Sequence, residues 1–203
     1  MDDIRLIPRS HSSYPSLLGH IHDSPGLLAV QGPLEIFSSC SYVVSGGSRA
    51  TPESRAAARL LGYEAAEAGA LLVTDGRTVQ AREAVWGALD AGGPLLLVLP
   101  GDPGNRAVHP RVSRLWEVPP QGMMGCQRIL AGLSYVICFI DAPWSPPVRM
   151  LAECALEEGR DVVVHRCGKD RRGSKRLAEA GAEVLSSSQR LLELLAAWKN
   201  PWS

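Results

Sequence analysis

The sequence predicts an α/β protein with a doubly wound, mostly parallel sheet, and three observations carry that expectation. Apolar runs recur along the chain at residues 27–30, 42–44, 71–74, 95–99, 135–140 and 161–165, with a shorter one at 183–185. Several of them do not alternate with polar residues, as expected for strands buried on both faces of a parallel sheet. Helical segments lie between them, at 52–68, 78–91, 123–133, 147–159 and 174–180, and a last one spans 187–198 with leucines along one side. The helix ends are marked by residues with a physical role. Thr51-Pro52 reads as an N-cap followed by an N1 proline, while Gly69 and Gly159 stand where helices close. Strands alternating with helices imply right-handed crossovers and an extended Rossmann-like fold.

With 203 residues, the chain is long enough for one domain with a full core. Its expected organisation is a lead-in segment, 1–40, packed on the core, a Rossmann-like domain over 41–185, and a C-terminal helix over 186–203. A charged loop occupies 168–174. No stretch is long and apolar enough to cross a membrane, and the opening Met-Asp-Asp-Ile-Arg lacks an apolar core, so a cytoplasmic protein is expected. The five cysteines form no C-x-x-C pair, which argues against a disulfide framework and a zinc site. Nor do the five histidines fall into a ligand pattern, so no metal and no cofactor are expected. The 21 basic and 21 acidic residues balance, which excludes a strongly basic, purely electrostatic nucleic-acid binder. All but three of the basic residues are Arg, the side chain best suited to forked phosphate contacts, although Arg over Lys is equally what a GC-rich genome yields.

Ser45-Gly46-Gly47-Ser48-Arg49 follows an expected strand and precedes an expected helix. An α/β sheet binds ligands at such a place, beyond the strand's carboxyl end and beside helix N–H groups. Glycine lets backbone approach an anion closely, Ser48 offers a hydroxyl, and Arg49 a guanidinium fork. The segment is neither a G-x-G-x-x-G nor a P-loop. It also fails the G-x-S-x-G elbow of serine hydrolases, because Ala50 holds the last position. Arg128 lies on the helix feeding the 135–140 strand and is expected to contact an anion at the same crevice. Asp141 ends that strand.

These segments resemble the DNA-processing protein family DprA/Smf, over roughly residues 11–185. Tyr14-Pro-Ser-Leu-Leu18 with Asp23-Ser-Pro25 resembles the family's opening motif. Val44-Ser-Gly-Gly-Ser-Arg49 with Thr51 is similar to V-G-S-R-x-x-T. Arg128-Ile-Leu-Ala-Gly-Leu-Ser134 is similar to R-I-I-A-G-L-S, the most specific match, and Ala155-Leu-Glu-Glu-Gly-Arg160 resembles A-L-e-x-G-R. The resemblance implies a DprA-like Rossmann domain that binds single-stranded DNA, forms a homodimer and loads RecA in natural transformation or recombination, without catalysis. It places Arg49 in a basic DNA pocket.

The chain also departs from the pattern. The family's S-G-x-A-x-G-I-D aligns with Thr74–Ala81, so its Asp becomes Ala81. Its R-N-R reads Cys126-Gln127-Arg128, and its S-G-S aligns near Pro146-Pro147, which bring no N–H groups. Arg77 stands where the family has a small residue and can restore charge. The expected DNA- or anion-binding set is therefore Gly46, Gly47, Ser48, Arg49, Arg77, Gln127 and Arg128, with single-stranded DNA as the partner. Two other readings stand beside it. One is a degenerate paralogue with a protein-interaction or nucleotide-binding role. The other is a nucleotide phosphoribohydrolase-like enzyme, for which Pro100-Gly101-Asp102-Pro103-Gly104 lacks the needed Gly, Thr and Glu.

Overall fold

The structure, a computed structural model, describes residues 4–104, 109–167 and 172–199; most of the charged loop expected at 168–174 lies outside them. In chain order the elements are β1 (Arg5–Pro8), α1 (Ser16–Gly19), β2 (Leu27–Gln31), β3 (Ser41–Ser45), α2 (Pro52–Glu67), β4 (Leu71–Thr74), α3 (Val79–Asp90), β5 (Leu95–Leu99), β6 (Val112–Glu117), α4 (Gly122–Leu133), β7 (Val136–Ile140), α5 (Pro146–Glu157), β8 (Asp161–His165), α6 (Arg172–Glu179), β9 (Glu183–Leu185) and α7 (Gln189–Lys199).

The unbroken apolar runs form the middle of one nine-stranded sheet, in the order β1-β2-β6-β5-β4-β3-β7-β8-β9. The pairs from β6 through β9 are parallel, and only β2 against β6 and β1 against β2 are antiparallel. From β3 the chain winds outward through β4, β5 and β6, then returns to β7 and winds the other way. The direction of winding therefore switches between β3 and β7, where two carboxyl ends part and leave a crevice.

Two strands escaped the sequence reading. β1 buries only Ile7, and β6 carries Ser113 and Arg114 in its middle, so neither looks apolar in sequence. Their pairing comes from the sheet: β6 extends β5, and β2 and β1 then cover its edge.

Each face of the sheet buries its own core. On one, Leu18 and Ile21 from the lead-in pack with Ile129, Leu130, Val148, Leu151 and Leu177. Gly132 of α4 is small because a Cβ there would lie 2.6 Å from Leu18 Cδ1 and 2.9 Å from Ile21 Cδ1. The glycine of the R-I-L-A-G-L-S stretch is thus a packing residue. On the other face α2, α3 and α7 cover the sheet through Ala58, Leu61, Ala84, Leu191 and Leu195. Trp198 anchors α7 by donating its indole N–H to Asp161 at 2.6 Å and packing on Tyr135. Cys138 is fully buried in this core, as its apolar surroundings suggested.

Candidate nucleic-acid interface

At the switch point lies a cleft of about 290 Å³. The loop after β3 contributes residues 45–48, the loop after β4 contributes Asp75, Arg77 and Thr78, α4 contributes Gln127, and the start of α5 contributes Pro143, Ser145, Pro147 and Val148. A larger hollow, about 410 Å³, lies beside Cys40, Ala70 and Leu195. It sits at the amino ends of β3 and β4, away from the ends where an α/β sheet places ligands.

The geometry corrects the role expected of the glycines. A Cβ on Gly46 would lie 2.3 Å from Gln80 Oε1 and 2.5 Å from the Ile140 carbonyl oxygen. Gly46 is therefore required by close packing. Gly47 donates its N–H to Gln80 Oε1 at 2.9 Å and accepts from the Val79 N–H at 2.9 Å. Its amide serves the loop and is not offered to an anion. Gln80 is fully buried and holds the turn. Ser48 and Arg49 are both exposed; Ser48 lines the cleft, whereas Arg49, the next residue in the chain, is not among the lining residues. Thr51 caps α2 as expected, accepting from the Ser54 N–H at 3.1 Å, with Pro52 in the first turn.

The loop after β4 is tightly built. Thr74 Oγ1 accepts from the Gly76 N–H, Asp75 Oδ1 from the Arg77 N–H at 3.1 Å, and Asp75 Oδ2 from Gln127 Nε2 at 3.1 Å. Gly76 adopts a φ of 66°, a left-handed turn that glycine accepts without strain. Arg82 donates to the Gly76 and Arg77 carbonyls at 3.2 and 3.0 Å. This scaffold presents Arg77, exposed, to the cleft. Cys126, where the family places an arginine, is buried. Burial first and the nearby Asp75 second push its thiol up to about 11, so it adds no charge near neutral pH.

Arg128 does not join the cleft. Its guanidinium contacts Glu117 at 2.7 Å, the Asp23 carboxylate at 3.1 Å and the Asp23 carbonyl, and its side chain is 12% exposed. It ties α4 to β6 and to the lead-in. Successive helical residues point about 100° apart, so with Gln127 facing the cleft its neighbour faces elsewhere.

At α5 the N-cap is Ser145, whose hydroxyl makes no capping bond. Pro146 and Pro147 follow, so the first N–H of the helix belongs to Val148. The sequence reading missed Asp75, Thr78, Gln80 and Ser145. None of the four carried a signal in sequence that set it apart from ordinary turn, cap or helix-surface residues. The cleft thus combines hydroxyl donors, one guanidinium, one carboxamide and one carboxylate, and none of its lining residues is histidine or cysteine.

No protein-family model and no curated protein matches the sequence. Solved structures do match. DNA processing protein A (DprA) from Streptococcus pneumoniae aligns over 94% of this chain and 74% of its own, with TM-score 0.80 and 21% identity. DNA processing protein A from Helicobacter pylori, described for its single-stranded DNA binding mode, aligns over 97% of this chain and 98% of its own, with TM-score 0.80 and 18% identity. The molybdenum cofactor carrier protein of Chlamydomonas reinhardtii is less similar, with TM-score 0.61 and 22% identity over 77% of this chain and 99% of its own. The two stronger likenesses span nearly the whole chain, lead-in included, and the chain therefore has the fold of DNA processing protein A.

Proposed function

We propose that the protein binds single-stranded DNA at the switch-point cleft and acts in DNA uptake or recombination, without catalysis. The observation that supports this most is the placement of Arg77, Ser48 and Ser145 around one cleft, with the exposed Arg49 next to Ser48 in the chain, on the fold shared with DNA processing protein A. Arginine and hydroxyl donors suit phosphate oxygens. The same reading carries a homodimer, RecA as the protein partner and a cytoplasmic location. Among the described residues no helix is long and apolar enough to cross a membrane.

A second reading is a paralogue whose anion site has decayed and whose remaining role is to bind a protein partner. Three observations favour it: the Gly47 amide occupied by Gln80, the two prolines that open α5, and Cys126 in place of an arginine. Fluorescence anisotropy with a labelled oligothymidylate at low salt separates the two. The first reading expects saturable binding that Arg49→Ala weakens. No binding by the wild type leaves the second reading standing and contradicts the first.

A further inference from the structure

The cleft contains a group that a pure phosphate site would not need. Asp75 lines it beside Gln127 and Arg77. An ionised carboxylate repels phosphate oxygens and only accepts hydrogen bonds, at about four lone-pair sites. Among the described residues, the Arg77 N–H and the Gln127 amide occupy two of these, each at 3.1 Å, which leaves about two for a ligand. The carboxylate is also held rigidly. Gln127, 4% exposed, pins one oxygen, and Arg82 braces the loop through two carbonyls. The cleft's volume of about 290 Å³ lies at the lower edge of small-molecule sites, which suits one nucleotide unit.

We infer that Asp75 reads a base and that the cleft selects guanine within a single strand; the inference rests on the single-strand reading above. Guanine alone presents two adjacent donors, N1–H and N2–H, on its Watson–Crick edge, which match the two oxygens of a carboxylate. Adenine and cytosine each set a ring-nitrogen lone pair beside their amine, and thymine flanks its N3–H with two carbonyls. All three bring lone pairs against Asp75. Arg77 and Ser48 supply the donors for the adjoining phosphate.

The test measures anisotropy with the full chain, comparing an oligothymidylate with the same strand carrying one central dG. The wild type is expected to bind the dG strand about tenfold more tightly, in line with a forked base contact. In Asp75→Asn, which keeps the size of the side chain, the two strands are expected to bind alike. Thermal unfolding of this variant checks that it is folded. Equal affinity of the wild type for both strands overturns the inference and leaves the single-strand reading intact, with no variant needed. A dG preference that persists in Asp75→Asn also overturns it, because the discrimination then arises elsewhere. Binding of neither strand at low salt overturns the single-strand reading and this inference with it.

Discussion

Arg128 and Arg77 show how one residue type takes opposite roles according to what surrounds it. Arg128 is mostly covered and pairs with the equally covered Glu117, with the exposed Asp23 on its other side, so its pair with Glu117 is structural. Removing one partner of such a pair leaves an uncompensated charge, and Arg128→Ala is expected to cost about 3 kcal/mol. Chemical denaturation checks the stability, and strand affinity at a temperature where the variant stays folded is expected to remain unchanged. Arg77 is exposed on a braced loop, so its removal is expected to do the reverse. The sequence made both arginines visible but not their directions. Gln127 and Arg128 are neighbours in sequence, and only the packing of α4 decides which faces the cleft. The role of Gln80 was equally hidden, since a buried glutamine that accepts from a glycine amide looks in sequence like any polar helical residue.

At the scale of elements, the strands with unbroken apolar sequence were legible almost to their ends, because burial on both faces leaves a plain signature. β1 and β6 were not, since partners distant in sequence stabilise them. The prolines that open α5 were legible, and with them the two N–H groups missing from the helix start. Pro146→Ser with Pro147→Gly restores two N–H groups beside the cleft and is expected to raise strand affinity several-fold, measured by anisotropy at fixed salt. β8 carries a different test. His165 ends this strand, buried, with no hydrogen-bond partner for Nδ1 among the described residues. Burial holds its imidazole below the ordinary value of 6.5. In the unfolded chain it titrates near 6.5 and there binds more protons than in the fold. Stability is therefore expected to fall as pH drops below about 6.5, until the folded form also titrates. Urea midpoints across that range check this, and His165→Asn is expected to flatten the slope.

At the scale of the molecule, the winding order puts ligand-facing loops at the point where β3 and β7 diverge, whatever the chemistry of those loops. The fold was legible because strand and helix periodicities set it. The cleft was legible in part, through the position of residues 45–48, Arg77 and Gln127, while its acidic member was not, because Asp75 reads in sequence as an ordinary turn residue. Zero net charge argues against a strong, purely electrostatic affinity, so local contacts are expected to carry strand binding. The most direct test is the slope of log affinity against log salt for a labelled single strand, in the wild type and in Arg77→Ala. A phosphate contact by Arg77 is expected to give weaker binding and a slope shallower by about one unit in the variant. Identical affinity and slope in the two proteins would contradict the placement of the strand in this cleft.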